Sequence, residues 1–157
     1  MITYRKANIS DIPELINLRI LFLKEIYPNA SESLDDRLAD HLTTYLQEYL
    51  AKDSFVNWFA EANGKAVASA GILFYNQPPL YHNLDGKVAY ILNVYTLPDF
   101  RRKGIAKALL QKILQEAKDR NTGKVSLHTS ELGRSLYEQF GFVAGGNEMT
   151  CQLPRKQ

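Results

Sequence analysis

The residues best suited to chemistry lie in one stretch, Tyr90-Ile91-Leu92-Asn93-Val94-Tyr95-Thr96-Leu97-Pro98-Asp99-Phe100-Arg101-Arg102-Lys103-Gly104-Ile105-Ala106. An apolar strand there enters a loop with a single glycine among cations and leaves as a helix. The free N–H groups of a first helical turn point outward together at the positive end of the helix dipole, forming a nest for phosphate. Gly104 admits an oxygen close to the backbone and Ala106 is the next smallest residue on that wall, while Arg101, Arg102, Lys103 and Lys107 supply cations for a multiply charged ligand. A pyrophosphate fits such a site. The same cations could instead decorate a solvated helix start. The glycines of G-x-G-x-x-G and the G-K-[ST] of a Walker loop are missing, so neither NAD nor ATP is favoured.

The elements that must position this loop follow from periodicity. Ile2 to Ala7 reads as a strand, and Asp11-Ile12-Pro13-Glu14 as a capping box before a helix whose apolar stripe ends at Ile26. Ser33, Asp35 and Asp36 open a second helix striped by Leu38, Leu42, Tyr45, Leu46 and Tyr49. Phe55 to Glu61 and Lys65 to Tyr75 flank Asn63-Gly64, the signature of a type I′ hairpin. A turn-rich loop, Asn76 to Gly86, precedes the strand Lys87 to Thr96, and the helix after Gly104 ends near Asn121-Thr122-Gly123. Lys124 to Thr129 is a further strand, a short helix spans about Gly133 to Phe140, and Phe142 to Ala144 and Glu148 to Leu153 are expected to pair across Gly145-Gly146-Asn147. The order βααβββαβαββ implies an α/β fold.

With 157 residues, 45% of them apolar and 23% charged, the chain is expected to form one domain over residues 1–157 that needs neither disulfide nor structural metal. Lys plus Arg (19) against Asp plus Glu (17) leaves only +2, too weak a field to argue for nucleic acid or an anionic membrane. His41, His82 and His128 have no metal-ligand spacing, and the lone Cys151 is expected to be a small buried hydrophobe. The charged N-terminus and the absence of a long apolar run lead to the expectation of a cytoplasmic protein.

Arg101-x-x-Gly104-x-Ala106, preceded by a strand and Pro98, resembles the acyl-CoA-binding motif [QR]-x-x-G-x-[GA] of the GCN5-related N-acetyltransferase (GNAT) superfamily. Downstream, Leu136-Tyr137-x-x-x-Gly141-Phe142 is similar to that family's later motif L-Y-x-x-x-G-F. The resemblance implies a mixed central sheet flanked by helices, splayed between the strands ending at Thr96 and Thr129, with the pantetheine arm of acetyl-CoA in the gap. Backbone groups of Val94, Tyr95 and Thr96 would pair with that arm, and a donor near Val94 would polarise the thioester carbonyl. Arg101 to Ala106, including Ile105, would hold the pyrophosphate, and Ser135 would reach the ligand. Ser130 and Gly133 depart from the residues common in relatives.

The implied chemistry is acetyl transfer from acetyl-CoA to a primary amine by direct attack in a ternary complex, with no metal. In the family the tyrosine corresponding to Tyr137 commonly hydrogen-bonds or protonates the departing thiolate; without that parallel, Tyr137 reads equally as an amphipathic core residue. His128 shares a strand face with Ser126 and Ser130 and could serve as general base, or be a structural histidine. Glu61 and Glu148 are weaker base candidates. The acceptor pocket is expected from Glu25 to Asp36 and Asn76 to Gly86, with Tyr27, Tyr75, Tyr81 and His82 as lining. A noncatalytic acyl-CoA sensor is the alternative, self-association into a homodimer is left open, and no nucleic-acid or membrane partner is expected.

Overall fold

The structure, a computed structural model, describes residues 1–155. Its strands are β1 (Ile2–Lys6), β2 (Phe55–Ala62), β3 (Lys65–Asn76), β4 (Lys87–Thr96) and β5 (Lys124–Ser126). Its helices are α1 (Ile12–Ile26), α2 (Asp35–Ala51), α3 (Ile105–Asp119) and α4 (Glu131–Glu138). Alternation along β2 explains the layering. Phe55 and Phe59 turn to one side and pack with Leu15 and Leu18 of α1 and Leu46 of α2, while Val56 and Ala60 turn to the other and pack with Leu109, Leu110 and Ile113 of α3. A strand buried on both faces needs a mainly apolar run, and β2 and β3 supply one interrupted in the buried stretch by Asn57 and Ser69.

The sheet runs β1-β2-β3-β4-β5, antiparallel up to β4 and parallel between β4 and β5. The parallel step requires a crossover helix, which α3 provides. This is the expected mixed sheet flanked by helices. The hairpin turn is also as expected, with Asn63 at φ 51° and Gly64 at φ 74° as a type I′ turn demands.

Three local expectations fail, each for a stated reason. The capping box lies one turn earlier than Asp11–Glu14: Asn8 is the cap, its side chain accepts from Ser10 N at 2.8 Å, and Asp11 accepts from Asn8 N at 2.8 Å. Arg5 holds both oxygens of that Asp11 carboxylate, so it cannot cap the helix behind it. The strand expected to reach Thr129 stops at Ser126, because β4 diverges and pairing ends at Tyr90↔Ser126. Neither Phe142–Ala144 nor Glu148–Leu153 forms a strand. Beyond the three-residue β5 there is little edge to template them, and Val143, Met149 and Leu153 stand exposed, so no buried face rewards their pairing.

Between β2 and β3 a buried pair, Ser69 Oγ donating to Asn57 Oδ1 at 2.9 Å, sits beside Gly71. A Cβ at Gly71 would stand 2.7 Å from the Phe55 ring and 3.1 Å from Asn57 Oδ1. Gly71→Ala should therefore destabilise the fold by ~1–3 kcal/mol, the usual cost of overpacking, read as a fall in melting temperature. An unchanged melting temperature would mean that the fully buried Phe55 ring yields without strain.

Candidate active site

Where β4 and β5 part, β4 is also distorted. Leu92 pairs with Gly71 and Tyr95 with Ser69, so Asn93 and Val94 together oppose the single residue Ala70. Two residues against one is a β-bulge, and Asn93 adopts a left-handed φ of 58° within it. Bulges re-aim side chains, and the Asn93 side chain here reaches α1, where its Oδ1 accepts from Arg19 Nη1 at 2.5 Å.

The gap between the diverging strands opens into a cavity of about 980 Å³. Its floor is β4 from Tyr90 to Val94 with Thr96; α1 contributes Arg19 and Phe22 with Tyr27 just past its end, the α3 entry contributes Arg102, Gly104 and Ala106, and α4 contributes Ser135 and Tyr137. Arg19, Arg101, Arg102 and Lys107 all line it, and among the described residues no Asp or Glu does. The lining is therefore cationic even though the whole chain is nearly neutral; of the four cations, among the described residues only Arg101 is paired with a carboxylate.

At its α3 end the backbone N–H groups of Arg102, Lys103, Gly104, Ile105, Ala106 and Lys107 find no acceptor among the described residues; the first helical bond is Ala108 N to Gly104 O. Arg102 and Gly104 are both left-handed, at φ 63° and 76°. That alternation turns successive N–H groups to a common side and makes an anion nest. A Cβ built on Gly104 meets nothing within 4 Å, so it would enter open space. Arg101 is already committed to the protein. Its Nε donates to Thr96 O at 2.8 Å, its Nη2 pairs with Glu25 at 2.6 Å, and its guanidinium lies 5.6 Å from the Tyr95 ring centroid. Burial alone would raise the Glu25 carboxyl, but hydrogen bonds from Arg101 and Tyr95 outweigh it and hold that carboxyl below its usual range. Arg101 thus fixes the loop to β4 and α1. A polyphosphate fits this arrangement, with orphan donors and the Arg102 and Lys107 cations converging on one open face.

The sequence profile of the acetyltransferase (GNAT) family matches residues 20–142. The chain belongs to that family. It is 30% identical over 128 residues to human N-acetyltransferase 8, covering 80% of this chain and 55% of that protein; the chain spans about half the length of the curated relatives it matches. Among solved structures, an acetyltransferase of Clostridium acetobutylicum crystallised with acetyl-CoA superposes with a TM-score of 0.88 at 36% identity, covering 97% of this chain and 96% of that one. A GCN5-related N-acetyltransferase of Ralstonia eutropha JMP134 superposes with a TM-score of 0.85 at 27% identity, covering 98% and 99%.

This GNAT cavity brings together most of the residues singled out from the sequence, and it separates some. Val94, Thr96, Arg101, Arg102, Gly104, Ile105, Ala106, His128, Ser135 and Tyr137 all line it. Tyr95 does not line it: its ring is buried under α1 and its hydroxyl donates to Glu25 at 2.8 Å. Lys103 turns away, its Nζ donating to Asp99 O at 2.8 Å over the Phe100 ring. Tyr137 is half-buried, and burial pushes its hydroxyl up to about 12.

Glu61 is not a base, since Arg5 holds it at 2.8 Å across the β1–β2 pair, away from the cavity. Tyr75, Tyr81 and His82 are not lining residues either; Tyr75 lies near the end of β3 and the other two lie in the loop from β3 to the start of β4, whereas β4 delivers the nest at its other end. Cys151 is exposed rather than buried because its segment pairs with no strand.

Arg19, Asn93 and Tyr90 line the cavity with side chains to which sequence reasoning assigns no role. Tyr90 is the last residue of β4 paired with β5, and its hydroxyl bonds His128 Nδ1 across the fork. Burial raises the Tyr90 phenol as well. His128 Nε2 in turn lies 3.8 Å from Glu148. An arginine set among the apolar positions of α1 was the one available signal for Arg19. No helix among the described residues is long and apolar enough to cross a membrane.

Proposed function

We propose that this acetyltransferase moves the acetyl group of acetyl-CoA to a primary amine by direct attack in a ternary complex, within a single domain. The observation that carries the reading is the run of six orphan N–H groups, Arg102 to Lys107, whose residues other than Lys103 line the same cavity as Val94, Thr96 and Tyr137. Acetyl-CoA supplies an acyl thioester whose carbon an amine can attack. The nest with Arg102 and Lys107 binds the pyrophosphate, Arg101 keeps the loop in shape, and Val94 to Thr96 align the pantetheine arm as an added strand. Ser135 reaches the arm from the opposite wall. At the bulge, a backbone donor near Val94 polarises the thioester carbonyl.

Proton traffic runs through Tyr90, His128 and Tyr137. With no carboxylate lining the cavity among the described residues, the base is the imidazole. Tyr90 accepts the amine proton as its own passes to His128 Nδ1, and Glu148 faces the resulting imidazolium. Tyr137 donates to the departing sulfur.

Acetyl-CoA should stabilise the protein, since the nest exists only in the folded chain. At about 100 times the dissociation constant, linkage supplies ~2.7 kcal/mol, which for this size raises the melting temperature by roughly 2–4 °C per kcal/mol. No shift with millimolar acetyl-CoA would remove this reading and the sensor alternative together. Release of CoA on adding an amine separates catalysis from mere binding.

A further inference from the structure

Arg19 differs from the other arginines of the chain. Arg5, Arg101, Arg120 and Arg134 each pair with a carboxylate, and Arg37, Arg102 and Arg155 stand in solvent. Arg19 is half-buried, and among the described residues it forms no ion pair and one hydrogen bond, to the neutral amide of Asn93. Desolvation pulls the guanidinium pKa down from its usual value, and the nearby phenols of Tyr45, Tyr27 and Tyr90 oppose that shift. Five donors in a planar fork, desolvated and with one used, make an incomplete arrangement.

Its position says what would complete it. Arg19 lines the cavity at the bulge, beside Tyr27 and Tyr90, whereas the nest lies beyond Thr96 at the α3 entry. The pyrophosphate is served there by its own donors, so Arg19 faces the end of the cavity where an acceptor must enter. The left-handed Asn93 holds the guanidinium by one edge and leaves the rest of the fork to the cavity.

We propose that the acceptor is an amine that also carries a carboxylate or a phosphate, and that Arg19 binds this oxyanion as the specificity-determining residue. This rests on the acetyl-transfer reading above. Planar guanidinium matches both anions bidentately. The same cationic lining disfavours acceptors with additional positive charges, such as polyamines.

Matched amines test the idea in a CoA-release assay: phenylalanine against phenethylamine, tryptophan against tryptamine, and glucosamine 6-phosphate against glucosamine, with spermidine as the polycation. In at least one pair the anionic member should show kcat/KM about tenfold or more above its neutral partner, and which pair responds separates carboxylate from phosphate. Arg19→Gln should abolish that preference while calorimetry finds acetyl-CoA affinity within about twofold of wild type, the expectation for additive, separate sites. Should Arg19→Gln fail to fold, sulfate serves in the wild type, where it should inhibit transfer to the anionic amine and spare a neutral one. Equal use of both members in every pair, no turnover of any pair by protein that binds acetyl-CoA, a preference that survives Arg19→Gln, or equal inhibition by sulfate overturns the proposal. Failure to bind acetyl-CoA at all would instead overturn the underlying acetyltransferase reading.

Discussion

Gly104→Val should bind CoA about 10²-fold more weakly than wild type, a loss of ~2.7 kcal/mol, while the chain still folds. Two effects act together. Gly104 sits at φ 76°, where a side chain costs ~1–2 kcal/mol and a β-branched one is least tolerated. Relief of that strain would rotate the peptide units on either side and disperse the N–H groups from Arg102 to Lys107. The new side chain would also enter the open space that a phosphate needs. Losing one or two charge-assisted hydrogen bonds at ~1.5–3 kcal/mol each reaches the stated magnitude. Isothermal titration with CoA measures it, and a melting curve reads the strain separately. Unchanged affinity in a folded Gly104→Val protein would show that the pyrophosphate binds elsewhere.

What the sequence could reveal divides along physical lines. The hairpin at Asn63-Gly64 and the nest at Gly104 were legible because each depends on residues a few positions apart, in a conformation that a glycine announces. The layering of the sheet was legible from the apolar runs of β2 to β4. The bulge was not. Asn93 adopts a positive φ that its residue type only tolerates, and the cause is a pairing register with β3 that no local pattern encodes. Side-chain pairings across the sheet were equally hidden: Arg19 meets Asn93 across 74 positions, Arg101 meets Glu25 across 76, and Arg5 removes Glu61 from consideration across 56. Each joins two elements whose contact the fold alone decides. The two closing strands over-read the sequence, because alternation predicts a strand only where a partner edge and a buried face await it.

Tyr137→Phe should lower kcat by roughly 10²-fold, the usual effect of removing a positioned acid or hydrogen-bond donor, with little change in CoA affinity or melting temperature at neutral pH. The ring packs edge-on against Phe142 at 5.9 Å, and phenylalanine keeps that contact. Burial holds the Tyr137 hydroxyl at about 12, so it remains a neutral donor at every working pH. A thiol ordinarily titrates near ~8.5, so complete transfer from such a phenol to the departing sulfur is uphill. The hydroxyl therefore acts first as a donor that stabilises developing thiolate charge, and the proton lost by the attacking nitrogen balances the product thiol. Alkaline stability provides an independent check. The folded hydroxyl has its pKa raised above the unfolded value of ~10, so the native state keeps a proton that the unfolded chain has shed. Wild-type stability should then fall as pH rises from about 10 toward 12, and Tyr137→Phe should fall less over that window. Single-turnover kinetics at saturating acceptor isolates the chemical step from product release. A stable variant with wild-type single-turnover rate would reject the donor role, and one that melts early and loses CoA would make Tyr137 a packing residue of the α4 wall.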